Sequence, residues 1–173
     1  MHFKNYIYSI KKNRMKKIIY ILSIIFISSC SNNQVNLQNI NEDATSFVEN
    51  QFNFFVSNSI EEAKAVFADD AVCFFTDKAE YLRGWSEIEP NLIAQLEVIK
   101  DVSFSMRDLK ITLSDDGTMA SYTQIIDFAF SVNGEKGEIK DVRNTGVIKK
   151  INGSWKISHI HTSIGVEGQV VEY

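Results

Sequence analysis

The chain has 173 residues, 23% of them charged and 45% hydrophobic, with a formal net charge of −4. That composition supports a packed core and does not fit a disordered chain. Lys4, Lys11, Lys12, Arg14, Lys16 and Lys17 precede Cys30 and no acid does, so the remainder holds 12 basic and 22 acidic residues, a net −10. A domain this acidic repels phosphate backbones, and nucleic acid is not expected as a partner.

Residues 1–29 read as an address. A basic stretch leads to Met15-Lys16-Lys17, the apolar run Ile18 to Ile27, and the small pair Ser28-Ser29 before Cys30. A positive start, a short apolar stretch and small residues before a cut are the parts of a secretory signal. The run is short for a bilayer span of ~20 residues. Met15 reads as the true start. The cysteine after the small pair resembles the lipobox of a bacterial lipoprotein, with Ile27 where that box usually has Leu. The resemblance implies lipidation at Cys30 and a place in the cell envelope, on the periplasmic face or at the outer membrane. Membrane contact is then expected only through that lipid. A plain signal peptide with a coincidental cysteine is the alternative.

With Cys30 modified, Cys73 has no internal disulfide partner, and no Cys/His group has zinc spacing, so no metal is expected. Cys73 lies in the apolar run Ala71 to Phe75 and reads as a buried, inert thiol.

Residues 30–41 read as the lipidated cysteine and an Asn/Gln/Ser-rich tether, and residues 42–173 as one domain. Ala44, Phe47, Val48, Gln51, Phe52 and Phe55 recur at helical spacing. Ser59-Ile60-Glu61-Glu62 fits a capping box opening a short second helix. Short strands follow at Ala71 to Thr76 and Tyr81 to Gly84. Ser86-Glu87-Ile88-Glu89 reads as a second capping box, with Pro90 in the first turn of a third helix. Four strands then run Val102 to Ser114, Met119 to Val132, Lys136 to Ile151 and Ser154 to Ser163. They are separated by turns at Asp116-Gly117, Asn133-Gly134 and Asn152-Gly153, an antiparallel meander. The class is α+β.

Strict alternation places Trp155, Ile157, His159, His161 and Ser163 on one face of the last strand. It groups Arg143, Thr145 and Val147 on one face of the strand before, and Ala120, Tyr122, Gln124 and Ile126 on one face of the strand before that. Asp127 falls on the face opposite Tyr122.

Arg83-Gly84, Asp116-Gly117 with Ala120, Arg143-Asn144-Thr145 and the ending Gly153-Ser154-Trp155 to His159-Ile160-His161-Thr162-Ser163 resemble the nuclear transport factor 2-like superfamily in its SnoaL-like branch. The ending also resembles the association domain of calcium/calmodulin-dependent kinase II. The resemblance implies a cone-shaped fold of three N-terminal helices packed on a curved antiparallel sheet. It also implies a pocket at the wide end and homodimers through the sheet.

By that analogy the pocket is lined by Tyr122, Gln124, Arg143, Thr145, His159 and His161. Arg143 would anchor a carboxylate through its planar fork, and Tyr122 and Gln124 would orient a ligand. His161 is the candidate catalytic residue, because imidazole exchanges protons near neutral pH. The same residues also fit bland roles: Arg143 as a surface group paired with Asp141, and the histidines as hydrogen-bonded sheet residues. Phe47, Phe52, Phe55, Phe74 and Phe75 either line the cavity or fill it.

Three functions follow as expectations. The first is a lipid-anchored module that binds a small apolar or carboxylated molecule. The second is a cofactor-free isomerase, dehydratase or hydrolase with His161 as base and Arg143 as oxyanion partner. The third is a homodimerising assembly module.

Overall fold

The computed structural model describes residues 36–165 and Gly168. The signal segment, Cys30 and the first part of the tether lie outside them. Helix α1 spans Leu37–Asn50, capped by Asn36, whose side chain accepts from the Asn39 amide. Residues 37–41 of the expected tether are therefore helical. The single helix expected through Phe55 breaks at Gln51 and Phe52, and a short α2 follows at Asn53–Ser57. Asn58 ends it in the left-handed region, a conformation asparagine tolerates. Helix α3, Ile60–Val66, opens on Ser59 as expected: its hydroxyl accepts from the Glu62 amide at 3.2 Å.

Strands β1 (Phe67–Phe74) and β2 (Tyr81–Arg83) form a hairpin, and α4 covers Trp85–Val98. The second capping box is misplaced in the sequence reading. Gly84, at φ 73°, is the N-cap, because its conformation turns the chain from β2 straight into the helix. Glu87 then sits at the third helical position and accepts from the Arg83 amide at 2.8 Å. Pro90 lies within α4, one turn deeper than its favoured place.

Strands β3 (Ile99–Leu113), β4 (Met119–Val132), β5 (Glu135–Ile151) and β6 (Ser154–Ser163) form the expected meander. The sheet order is β2-β1-β6-β5-β4-β3. The sheet is antiparallel except where β1 lies parallel to β6. Asn133-Gly134 and Asn152-Gly153 have the paired positive φ of tight hairpin turns. The six-stranded sheet curves around the helices and buries Ile126, Val142, Ile148, Ile157 and Ile160 against Val48, Phe54, Ile88 and Leu92. Each such side chain contributes roughly 1.5–3 kcal/mol of burial.

The curvature has a sequence cause. Three aspartates inside strands, Asp101, Asp108 and Asp141, have positive φ, and the strand register slips at each. An extra residue in one strand bends it and increases its twist. All three stand between a basic and an apolar residue: Lys100-Asp101-Val102, Arg107-Asp108-Leu109 and Lys140-Asp141-Val142. Asp141 is held in place by donating its amide to Asp127 Oδ1 at 2.9 Å, and Arg107 bridges the Asp127 and Asp141 carboxylates on the outer face.

Candidate functional site

A fourth slip decides which side chains reach the inside. Ile148 pairs with Ile157 and Val147 pairs with His159, so Ser158 is an extra residue in β6. One inserted residue reverses the alternation beyond it. Trp155 and Ile157 face the core, as expected for the start of the strand. Past the bulge, Ile160 and Thr162 face inward, and His159 and His161 face outward.

The concave side holds a cavity of about 290 Å³ between the helices and the sheet. Phe52, Phe54, Phe55 and Phe75 line it from the helical side and the loop, and Phe128 and Phe130 from β4. Phe52 packs edge-on against Phe128 at 5.6 Å, joining the helical and sheet sides of the lining. Leu92, Val102, Ile139 and Val142 complete the apolar surface.

Beside the cavity runs a row of buried polar side chains, one from each of three adjacent strands. Gln124 pairs with Asn144 and Asn144 with Thr162 in the strand register. Gln124 Nε2 donates to Asn144 Oδ1 at 2.9 Å, and Asn144 Nδ2 donates to Thr162 Oγ1 at 3.3 Å. Thr162 lines the cavity. At the other end Gln124 Oε1 is buried and has no donor among the described residues. A buried amide oxygen without a partner costs free energy, and Gln124 is not among the residues that line the cavity.

One register row away, the Tyr122 hydroxyl donates to Gln51 Oε1 at 2.7 Å, tying the C-terminal end of α1 to the sheet. Gly146 lies directly opposite Tyr122, and a Cβ there would meet the phenol oxygen at 2.6 Å. The ring needs that glycine. Burial pushes the Tyr122 hydroxyl far above its usual range, so it stays protonated and cannot serve as a base near neutral pH. Burial likewise pushes the Cys73 thiol up to about 12, which fits the inert thiol expected there.

The mouth is made by the loop from Phe75 to Glu80. Glu80 orders it, accepting from the Asp77 amide at 3.1 Å and from Gln95 Nε2 of α4 at 2.8 Å. Asp77 and Glu80 line the cavity, and no lysine, arginine or histidine does so among the described residues. An adjoining, more open recess shares Phe75, Asp77, Glu80 and Thr162 with the cavity and is bounded further out by Phe74, Lys78, Tyr81 and His161.

The expected ligand-binding residues divide by strand: those of β4 face the concave side without lining the cavity, and those of β5 and β6 face outward. Tyr122 and Gln124 are on the concave side as expected. Arg143 and Thr145 are not: alternation groups them correctly, but the inward residues of β5 are Val142, Asn144, Gly146 and Ile148. Arg143 lies exposed on the outer face near Gly165, away from Asp141, which pairs with Arg107 instead. His159 is a hydrogen-bonded sheet residue, its Nδ1 3.1 Å from the Val72 carbonyl. His161 packs edge-on to Phe74 at 6.0 Å, on the outer face, because of the Ser158 bulge. Phe74 also points outward, whereas Phe52, Phe55 and Phe75 border the cavity. The sequence reading missed Asn144, Thr162, Asp77 and Glu80. The first two are immediate neighbours of named candidates, one step out of phase. Among the described residues no three His, Cys, Asp or Glu side chains stand close enough to hold a metal ion.

A cone of helices closed by a curved sheet, with an apolar cavity opening past a short loop, defines the nuclear transport factor 2-like class. Solved structures agree on the fold. A nuclear transport factor 2-like superfamily protein from Salmonella enterica serovar Typhimurium superposes with a TM-score of 0.68 at 19% identity, over 79% of this chain and 98% of that one. A candidate dehydratase of the same family from Streptomyces avermitilis gives 0.67 at 14% identity, over 75% and 99%. A candidate calcium/calmodulin dependent protein kinase II association domain from Xanthomonas campestris gives 0.64 at 21% identity, over 72% and 87%. No curated protein matches the sequence. The model of the SnoaL-like domain matches residues 45–167, and the chain belongs to that family.

Proposed function

We propose that this protein is a lipid-anchored, small-molecule-binding SnoaL-like domain of the cell envelope, with its ligand seated between the helices and the curved sheet. The observation that carries the binding reading is the open aromatic cavity of about 290 Å³. It lies near the lower end of the ~300–1,000 Å³ common for small-molecule sites. The anchor reading rests on the sequence around Cys30.

The ligand is a small apolar molecule. A carboxylate anchor at Arg143 has no support, since that guanidinium is on the outer face. An isomerase or dehydratase using His161 as base is disfavoured for the same reason: His161 borders the adjoining recess rather than the cavity. The test is native mass spectrometry of the full chain and of Val102→Trp, which would fill the cavity from its edge strand. A co-purifying small molecule present in the wild type and absent from the variant supports binding. An equally occupied variant, or a wild type that stays empty when offered neutral apolar compounds, counts against it.

A homodimer through the outer sheet face is a second, compatible reading. Phe74 and Tyr81 stack at 4.5 Å there yet remain 40% and 49% exposed, with Ile164 also exposed nearby. Exposed aromatic pairs of this kind mark contact surfaces. Sedimentation of Tyr81→Glu against the wild type tests it: a dimer that the variant converts to monomer supports the contact, and a wild-type monomer at micromolar concentration removes it.

A further inference from the structure

The cavity carries a charge pattern that narrows its ligand class, an inference that rests on the binding reading above. Six phenylalanines line it: Phe52, Phe54, Phe55, Phe75, Phe128 and Phe130. Its only ionisable lining groups among the described residues are the carboxylates of Asp77 and Glu80. Lys78, between them in the loop, lines only the adjoining recess, which Asp77 and Glu80 line as well. Aromatic faces and carboxylates both attract cations, the faces through the ring quadrupole and the carboxylates through their charge.

The cavity rim offers carboxylate acceptors and, among the described residues, no cationic donor. An anionic ligand would meet two like charges and no cation; an ammonium group would meet the reverse.

We infer that the cavity discriminates by charge, and that its ligands are apolar amines, with neutral apolar alcohols bound more weakly and carboxylates rejected. The amine's apolar body occupies the phenylalanine wall, and its ammonium group sits at the mouth between Asp77 and Glu80. Glu80 is already held by Gln95 and the Asp77 amide, so it is oriented before the ligand arrives. Asp77 is exposed and contributes a charge that salt screens.

The test is calorimetric titration of the full chain with phenylpropylamine, phenylpropanol and phenylpropionate, which share one apolar body and differ in charge. In the wild type the amine should bind about tenfold tighter than the alcohol, and the carboxylate about tenfold weaker. The amine's advantage should shrink as salt rises. In the double variant Asp77→Asn, Glu80→Gln the three affinities should converge, with the alcohol unchanged. Glutamine offers one acceptor oxygen where Glu80 uses two, so either the Asp77 amide or Gln95 Nε2 loses its partner, and the unchanged alcohol affinity is the check that the loop is retained. Carboxylate binding as tight as the amine, or a preference that survives in the double variant, overturns the charge inference and leaves the cavity reading standing. Absence of binding by all three overturns the binding reading and this inference with it.

Discussion

Tyr122 on β4 and Gln51 at the end of α1, seventy-one residues apart, share a 2.7 Å hydrogen bond inside the core. Both are buried, and the Gln51 amide nitrogen is already committed to the Val48 carbonyl at 3.0 Å. The bond therefore fixes where the helical layer sits on the sheet, and so the width of the cavity beside it. Tyr122→Phe keeps the ring and strands the Gln51 oxygen. It should cost about 1–3 kcal/mol in urea unfolding with an unchanged m-value. A cost below a few tenths of a kcal/mol would mean that water replaces the hydroxyl and that the bond does not set the layer.

Asp141 bends β5 through its positive φ of 55°. A β-branched side chain is strained in that region, and glycine is not. Asp141→Val should be less stable than Asp141→Gly by about 1–2 kcal/mol. Both variants lose the exposed pair with Arg107, so the difference isolates the backbone. Equal stabilities by thermal or chemical unfolding would show that the bulge imposes no strain.

These bulges explain why the fold was easier to read than the site. The turns at Asn133-Gly134 and Asn152-Gly153, the Ser59 cap and the inward face of β4 all follow from local chemistry that the chain obeys. Face assignment in β5 and β6 depends on phase, and one extra residue reverses it. Asp101, Asp108 and Asp141 carry a readable sign, an aspartate between a basic and an apolar residue within an alternating run. Ser158 carries none: serine is ordinary in a strand, and only its pairing with β5 reveals the slip. Unbroken alternation from Trp155 puts His159 and His161 on the inner face, and the Ser158 bulge turns them outward. The loop acids Asp77 and Glu80 carry no such sign, because nothing in Thr76 to Glu80 alone shows that it closes a cavity.

Cys73 is fully buried between Ala71 and Phe75, with its thiol pushed up to about 12. Folded protein at neutral pH should not react with an aromatic disulfide reagent over minutes, and should react at once in denaturant. The rate is read from the released thiolate. Rapid modification of the native state would mean that β1 opens locally.

Asp116 sits in the turn between β3 and β4, where the Ser114 hydroxyl and the Thr118 amide donate to its carboxylate at 2.6 and 3.0 Å. Those bonds hold it at about 2, below the ordinary 3.8. Folding thus favours the ionised form. The contribution is fully present above about pH 4 and is lost as pH falls through about 2. Asp116→Asn should flatten that part of the stability profile and leave the neutral-pH slope unchanged. A carbon-detected titration with a midpoint near 3.8 would remove the effect.

The central claim is that ligands enter between the helices and the concave side of the sheet. The most direct measurement follows methyl resonances as phenylpropanol is added. Leu92, Val102, Ile139 and Val142 line the cavity, whereas Val72, Ile125 and Val147 belong to the outer side of the sheet. The account predicts saturable shifts in the first group and none in the second. Shifts confined to the outer group, or no saturable shift at all, would contradict it.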